Sequence, residues 1–382
     1  MARAVESPLV RGGLMIGAGI IAGNLLGFVR VAITAYLLGT HSEADSLAVA
    51  MGPLDALNQV IINTIVFTFV PMLTARNGGD RAALFLKLNR LFAGLFLILS
   101  ASMILMAPWM IRVLAPGLDP SYFTVSVNIL RIGALSAMPV GFSAIHSALL
   151  YTDRRFAPSA FYQATLNVFT IGGAVCLWNL LGVYGFAIGY ACGAWMQFFV
   201  VYFATRSGLQ RDSLPDCPDH WRDLISKPGS ILLYSGMIML NLTLTRAYAT
   251  HVGPGTAAAL EYCMRCIGVP LAFLVSPISN SLLPEIARLR SLNRVREAFR
   301  LIDKTIGLAA LGAVAACAIG IAVRKPVIAL MFERGSFTGD STRLVAAVFL
   351  GFAPSLIGWS LLELTSRSLF ALDRPGLPLF TS

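Results

Sequence analysis

Residues 61–90 read IINTIVFTFVPMLTARNGGDRAALFLKLNR. Pro71 closes an apolar span, Ile61 to Leu73, and a basic stretch follows with Arg76, Arg81, Lys87 and Arg90. Another apolar span then leaves through Ala107-Pro108-Trp109 toward Gly117. The same order returns from Pro284: Arg288, Arg290, Arg294, Arg296 and Arg300, an apolar span, Lys325-Pro326 and Gly335. It continues one helix further, where Tyr151-Thr152-Asp153-Arg154 with Pro158 matches Ala371-Leu372-Asp373-Arg374 with Pro378. The offset is 213 residues from Pro71 to Pro284 and 220 from Pro158 to Pro378. Two related halves of this size in a membrane chain are the usual mark of a transport architecture, with its site between the halves.

Composition agrees with a membrane setting. Hydrophobic residues make up 57% of the 382 and charged ones 13%, too few charges to coat a soluble protein of this length. Apolar runs recur that are long enough to cross a hydrocarbon core of roughly 30 Å. They are continuous, whereas a membrane β-barrel would show short alternating segments. The chain therefore reads as an all-α polytopic membrane protein. Spans are expected near 13–39, 45–74, 88–113, 121–151, 158–180, 182–204, 229–250, 256–284, 301–323 and 343–371. That makes about ten complete transmembrane helices plus the start of an eleventh. The Pro-containing loop Thr205–Gly229 divides an N-terminal lobe (1–204) from a C-terminal lobe (230–382), with 205–229 as a cytoplasmic linker.

The net charge of +10 is distributed topologically. With the N-terminus inside, 20 of the 29 Lys and Arg fall in the N-terminal segment and inner loops, against five (Arg112, Arg324, Lys325, Arg334, Arg343) outside. That bias sets the orientation. No basic groove interleaved with aromatics, of the kind that takes single-stranded nucleic acid, is present. The six cysteines lie mostly within spans, and Cys263-x-x-Cys266 has no further Cys or His beside it, which favours packing over metal or redox chemistry. The first span is too long for a cleavable signal. In the first half Pro158 opens two further helices, so the repeat predicts about 45 more residues beyond Pro378 and reads the chain as C-terminally truncated.

The four remaining basic residues, Arg30, Arg131, Arg246 and Arg265, lie inside spans. An Arg near the bilayer centre costs about 2.5–3.5 kcal/mol on insertion scales, so it normally faces a cavity or a partner. Its planar fork of donors suits phosphate and diphosphate. Arg30, Arg265 and Arg131 are the candidate substrate-binding cations. Asp45 is the expected counter-ion of Arg30, and Glu261 stands one turn before Arg265 in the favourable i,i+4 order. Arg246, near the outer end of its span, is expected to snorkel. Asp55 and Glu363 are intramembrane acids, candidates for cation or proton coupling, with helix-to-helix hydrogen bonding as the alternative role. Asn24 and Asn58, with Asn63, Gly27 and Pro53, set the first two spans apart from plain lipid-facing helices.

At these residues the chain resembles the MurJ/MviN family. The resemblance rests on Leu26-Gly27-Phe28-Val29-Arg30, Glu43-Ala44-Asp45, Phe69-Val70-Pro71-Met72-Leu73, Ala107-Pro108-Trp109 and Ala115-Pro116-Gly117. It continues with Leu283-Pro284, the run Met331 to Thr338, and Arg367 to Asp373 in the same order. The resemblance implies a MATE-like two-lobe helical bundle of the multidrug, oligosaccharidyl-lipid and polysaccharide exporter superfamily. It implies a lipid II flippase of the bacterial cytoplasmic (inner) membrane, with a cationic cavity for the diphosphate headgroup. Arg30, Asp45 and Arg265 match family positions tied to that role. Asn24 stands where the family usually has Arg, Val31 where Asp is frequent, Leu57-Asn58 where paired Arg is common, and Gly268 where Glu is common. The family's fourteen helices also exceed those expected here. A relative carrying another polyprenyl-linked oligosaccharide, or a truncated relic that no longer transports, are the alternatives.

Other classes fit less well. A cation-coupled drug exporter would favour acidic and aromatic cavity residues over several Arg. A membrane glycosyltransferase would need paired or metal-binding carboxylates at one face, and Glu333 and Asp340 are the only acids in the longest outer loop. The expectation is a non-enzyme, monomeric, with the bilayer and a lipid-linked saccharide as partners. Neither cofactor nor metal is expected, and coupling is to membrane potential or a monovalent cation.

Overall fold

In the computed structural model, the structure describes residues 8–76, 78–206, 229–271 and 294–371, together with 275, 278, 282, 285, 286, 288, 289 and 292. The inter-lobe linker, Pro284 and the Asp373–Pro378 end of the repeat lie outside the described residues. The described residues form helices and no strand. In chain order these are α1 (Pro8–Leu38), α2 (Ser42–Thr74), α3 (Gly78–Leu114), α4 (Pro120–Ala134), α5 (Ala137–Thr152), α6 (Ala157–Ala160), α7 (Tyr162–Cys176), α8 (Trp178–Leu181), α9 (Tyr184–Arg206), α10 (Gly229–Val252), α11 (Thr256–Pro270), α12 (Val295–Phe332), α13 (Gly339–Phe352) and α14 (Ser355–Ala371).

The internal repeat is visible in these lengths. α3 and α12 have 37 and 38 residues, α4 and α13 have 15 and 14, and α5 and α14 have 16 and 17. Pro108 inside α3 is matched by Pro326 inside α12. The span expected at 121–151 is interrupted at Leu135–Ser136, and the one at 343–371 at Ala353–Pro354, where α13 and α14 bend by 50°. Proline explains both sites. It has no N–H to give the carbonyl four residues back, and its ring crowds that carbonyl. Pro139 does this to Leu135, and Pro354 does it to Leu350.

Six helical stretches among the described residues are long and apolar enough to cross a membrane, or seven if the bent α13–α14 pair is one span. A helix stands at each of the ten expected places, but some are short or polar. The fifth is split into α6, α7 and α8, and α10 carries Asn241, three threonines and Arg246. At 37 residues α3 is about 55 Å long, well beyond the hydrocarbon thickness, so its basic first turns extend past the apolar core. Leu97, Ile98 and Leu105 on α3, and Leu308, Leu311 and Ile319 on α12, present large apolar side chains outward, as lipid-facing helices do.

By contacts the chain divides into two units. The first holds residues 1–33 and 45–251, the second 34–44 and 252–382. In the first, α9 is the hub, packing on α7, α5 and α4, while α3 packs on α4 and α5. α7 and α9 approach backbone to backbone through Gly173, Gly185 and Gly189, and α1 rests on the 160–164 segment through Gly19 and Gly23, four residues apart. Such small residues are how helices meet closely without a hydrophobic driving force. In the second unit α12 packs on α13 and α14, α11 packs on α13, and Ile286, Ala298, Ile302 and Leu364 form a buried cluster. There Tyr262 of α11 donates its hydroxyl to the Gly39 carbonyl at 2.7 Å and packs on Phe332 and Phe337.

Candidate functional site

The first unit gathers polar groups from four helices around the proline-containing α2. Arg30 of α1 donates from its terminal nitrogen to Asp55 of α2 at 3.2 Å, and the two side chains are 14% and 34% exposed. One turn further along α2, buried Asn58 donates its amide to the Tyr190 hydroxyl of α9 at 3.1 Å. Its side-chain carbonyl accepts from Tyr162 of α7 at 2.5 Å. Tyr190 also lies 3.5 Å from the carbonyl of Leu54, the residue before Asp55. Polar groups inside a membrane protein persist where they satisfy one another or face a cavity, and this cluster does the first while keeping Asp55 partly open.

The sequence suggested Asp45 as the counter-ion of Arg30 and gave Asp55 a coupling role; the structure sets Asp55 within hydrogen-bonding distance of Arg30. That reach is directional. Helix side chains tilt toward the helix N-terminus, so Arg30 reaches back along α1, away from the α1–α2 turn. On antiparallel α2 that depth belongs to a residue well past the turn. Asp45 is buried at the start of α2, 4% exposed.

Arg246 also departs from expectation. Its guanidinium turns onto α2 over Gly52, with a terminal nitrogen 2.9 Å and Cδ 3.2 Å from where a Cβ on Gly52 would sit. The absent side chain leaves a seat there that competes with snorkelling to the outer surface. Arg131 is exposed, and its Nε donates to the Ile104 carbonyl of α3 at 3.3 Å. Asn24 is exposed on α1.

In the second unit Glu261 and Arg265 occupy the less buried stripe of α11, four residues apart, with Ala259, Leu260, Cys263 and Ile267 on its buried side. Glu363 lies half-buried on α14. Cys263 and Cys266 are free thiols, Cys263 fully buried. Among the described residues no group of three or more His, Cys, Asp or Glu side chains comes together that would hold a metal. Sequence reading brought Arg30, Asp55 and Asn58 forward; Arg30 meets Asp55, and Asn58 stands one turn along α2 from that pair, bonded to two tyrosines. It missed Tyr162 and Tyr190, whose only signal was a phenol inside an otherwise apolar span.

The family model described as "Lipid II flippase MurJ" matches residues 34–382. The chain belongs to the lipid II flippase MurJ family. A "Probable lipid II flippase MurJ" of Rhizobium meliloti is 25% identical over 394 residues, covering 97% of this chain and 72% of that protein. The "Lipid II flippase MurJ" of Burkholderia cenocepacia is 23% identical, covering 95% and 73%. Among solved structures, "Lipid II flippase MurJ, inward closed conformation" superposes with a TM-score of 0.84 at 17% identity, over 96% of this chain and 78% of that one. An inward-facing multidrug resistance MATE transporter of the MOP superfamily gives 0.76 at 12% identity, over 93% and 83%. The MurJ fold, shared with MATE transporters, is thus the fold of this multi-pass membrane chain.

Proposed function

We propose that this protein moves lipid II, the undecaprenyl-diphosphate-linked peptidoglycan precursor, across the bacterial cytoplasmic membrane. The observation that carries the reading is the family match over residues 34–382. Arg30, held by Asp55 inside apolar helices, and Arg265 on the less buried stripe of α11 serve as headgroup cations in a cycle that alternates access between the two faces of the membrane. The N-terminus is cytoplasmic, by the bias of Lys and Arg. Asp55 and Glu363 are the acids available for coupling. Membrane potential biases the cycle through these charges, at about 2.3 kcal/mol per charge per 100 mV. The protein acts as a transporter with the bilayer and the lipid-linked saccharide as its partners, as a monomer and without a cofactor.

One observation favours a second reading, a related polyprenyl-linked saccharide. Asn58, at a position where the resemblance expects Arg, is committed to Tyr162 and Tyr190, which leaves a thinner cation set. Complementation separates the two. The chain is expressed in cells depleted of their own lipid II flippase, beside Arg30→Ala and Arg265→Ala. Rescue that is lost in both variants supports lipid II transport. Absence of rescue despite confirmed membrane expression rejects lipid II as the substrate in that host.

A further inference from the structure

We propose that Arg246 of α10 is a second headgroup arginine, forming with Arg30 a two-guanidinium clamp over the Gly52–Asp55 turn of α2 that selects diphosphate over monophosphate. The inference rests on the lipid-linked diphosphate reading above and names a residue that reading does not contain. Arg30 reaches this turn from α1 and is held at Asp55, 3.2 Å away. Arg246 reaches it from α10, its guanidinium lying over Gly52. Gly52 and Asp55 are three residues apart, which places them on adjoining parts of one helix face with about 4.5 Å of rise between them. Two forks brought to one turn of a helix suit the two phosphates of a diphosphate, each fork offering paired N–H donors to one phosphate.

Three features make this more than a pair of nearby cations. Gly52 has no side chain, and a Cβ there would displace the guanidinium, so the seat for Arg246 is built into α2. Asp55 is the one carboxylate on the turn, partly open, and an entering diphosphate can take its place on Arg30. No Lys or Arg occurs along α2, and Asn58, one turn past Asp55, is committed to two tyrosines. Arg246 therefore supplies from α10 a cation that α2 itself lacks.

The test uses the full chain, purified in detergent, and measures binding of undecaprenyl diphosphate and undecaprenyl phosphate by native mass spectrometry. Arg246→Ala is expected to weaken diphosphate binding about tenfold to a hundredfold, the loss of charge-assisted hydrogen bonds to one phosphate. Monophosphate binding is expected to change only a few-fold. Gly52→Leu keeps the charge but unseats it, and is expected to produce the same selective loss. Arg246→Lys, which keeps charge without the fork, should fall between. Lys and Leu variants that remain monodisperse guard against a folding defect in Arg246→Ala. If Arg30→Ala loses diphosphate binding while Arg246→Ala and Gly52→Leu keep it, the clamp is wrong and the transport reading stands. If the wild-type chain shows no preference for diphosphate over monophosphate, the clamp is also wrong. If it binds neither lipid, the transport reading falls with it.

Discussion

Replacing Asn58 with leucine strands two phenols at once, and the size of that effect follows from the contacts. Tyr162 loses the carbonyl that accepts its proton, and Tyr190 loses the amide that donates to it. Tyr190 is 1% exposed, and what remains to it is a contact of 3.5 Å to the Leu54 carbonyl, at the limit of hydrogen bonding. A buried polar group left unsatisfied costs about 1–3 kcal/mol. Tyr162 is only half-buried, so its share sits at the low end, and Asn58→Leu should cost about 2–4 kcal/mol in all. Adding Tyr162→Phe and Tyr190→Phe removes the stranded groups, so the triple variant should lose only about 1 kcal/mol, less than the single one. The assay is reversible unfolding by SDS titration in mixed micelles, followed by circular dichroism. A triple variant as unstable as the sum of its parts would refute the idea that these three side chains act as one network.

Other consequences are independent of that network. Gly189→Leu should abolish monodisperse, folded protein in size-exclusion chromatography, because a Cβ at Gly189 would lie 2.3 Å from the Phe169 carbonyl, a backbone atom that cannot step aside. Arg81 donates to Asp153 at 2.8 Å and to the Arg76 carbonyl; its exposure to solvent limits the Arg81–Asp153 coupling to about 0.2–1 kcal/mol in a double-mutant cycle, shrinking with added salt. Asp119 caps α4 by accepting from the Ser121 backbone and hydroxyl, and these bonds hold its carboxyl below the ordinary Asp value of 3.8. Because its folded value is depressed, the cap's contribution is complete above pH 3.8 and is lost as pH falls through the lowered value. The melting difference between wild type and Asp119→Ala should therefore be present at neutral pH and vanish in strong acid, and a difference that persists there would remove the carboxylate from the explanation.

The sequence by itself determined the class and the rhythm of this protein. Apolar length and low charge dictate helices that live in a membrane, since only a helix or a closed barrel satisfies backbone hydrogen bonds there. The repeat from Pro71 and Pro284 predicted paired elements, and α3/α12, α4/α13 and α5/α14 appear with matching lengths and matching breaks. Such features are legible because proline and apolar runs act on their own helix. Pairings between helices are a different kind of fact. Sequence alone offers Arg30 the partner Asp45 and gives Asp55 a coupling role, and the backward tilt of a helical side chain, acting from one helix to another, carries Arg30 to Asp55. Arg246 looked like a snorkelling residue until Gly52, far away in sequence, offered it a seat. Tyr162 and Tyr190 looked like span residues until Asn58 joined them. Each choice depends on rotation and depth of one helix against another. Those quantities are set by close-packed contacts such as Gly173 on Gly189, and no single helix encodes them.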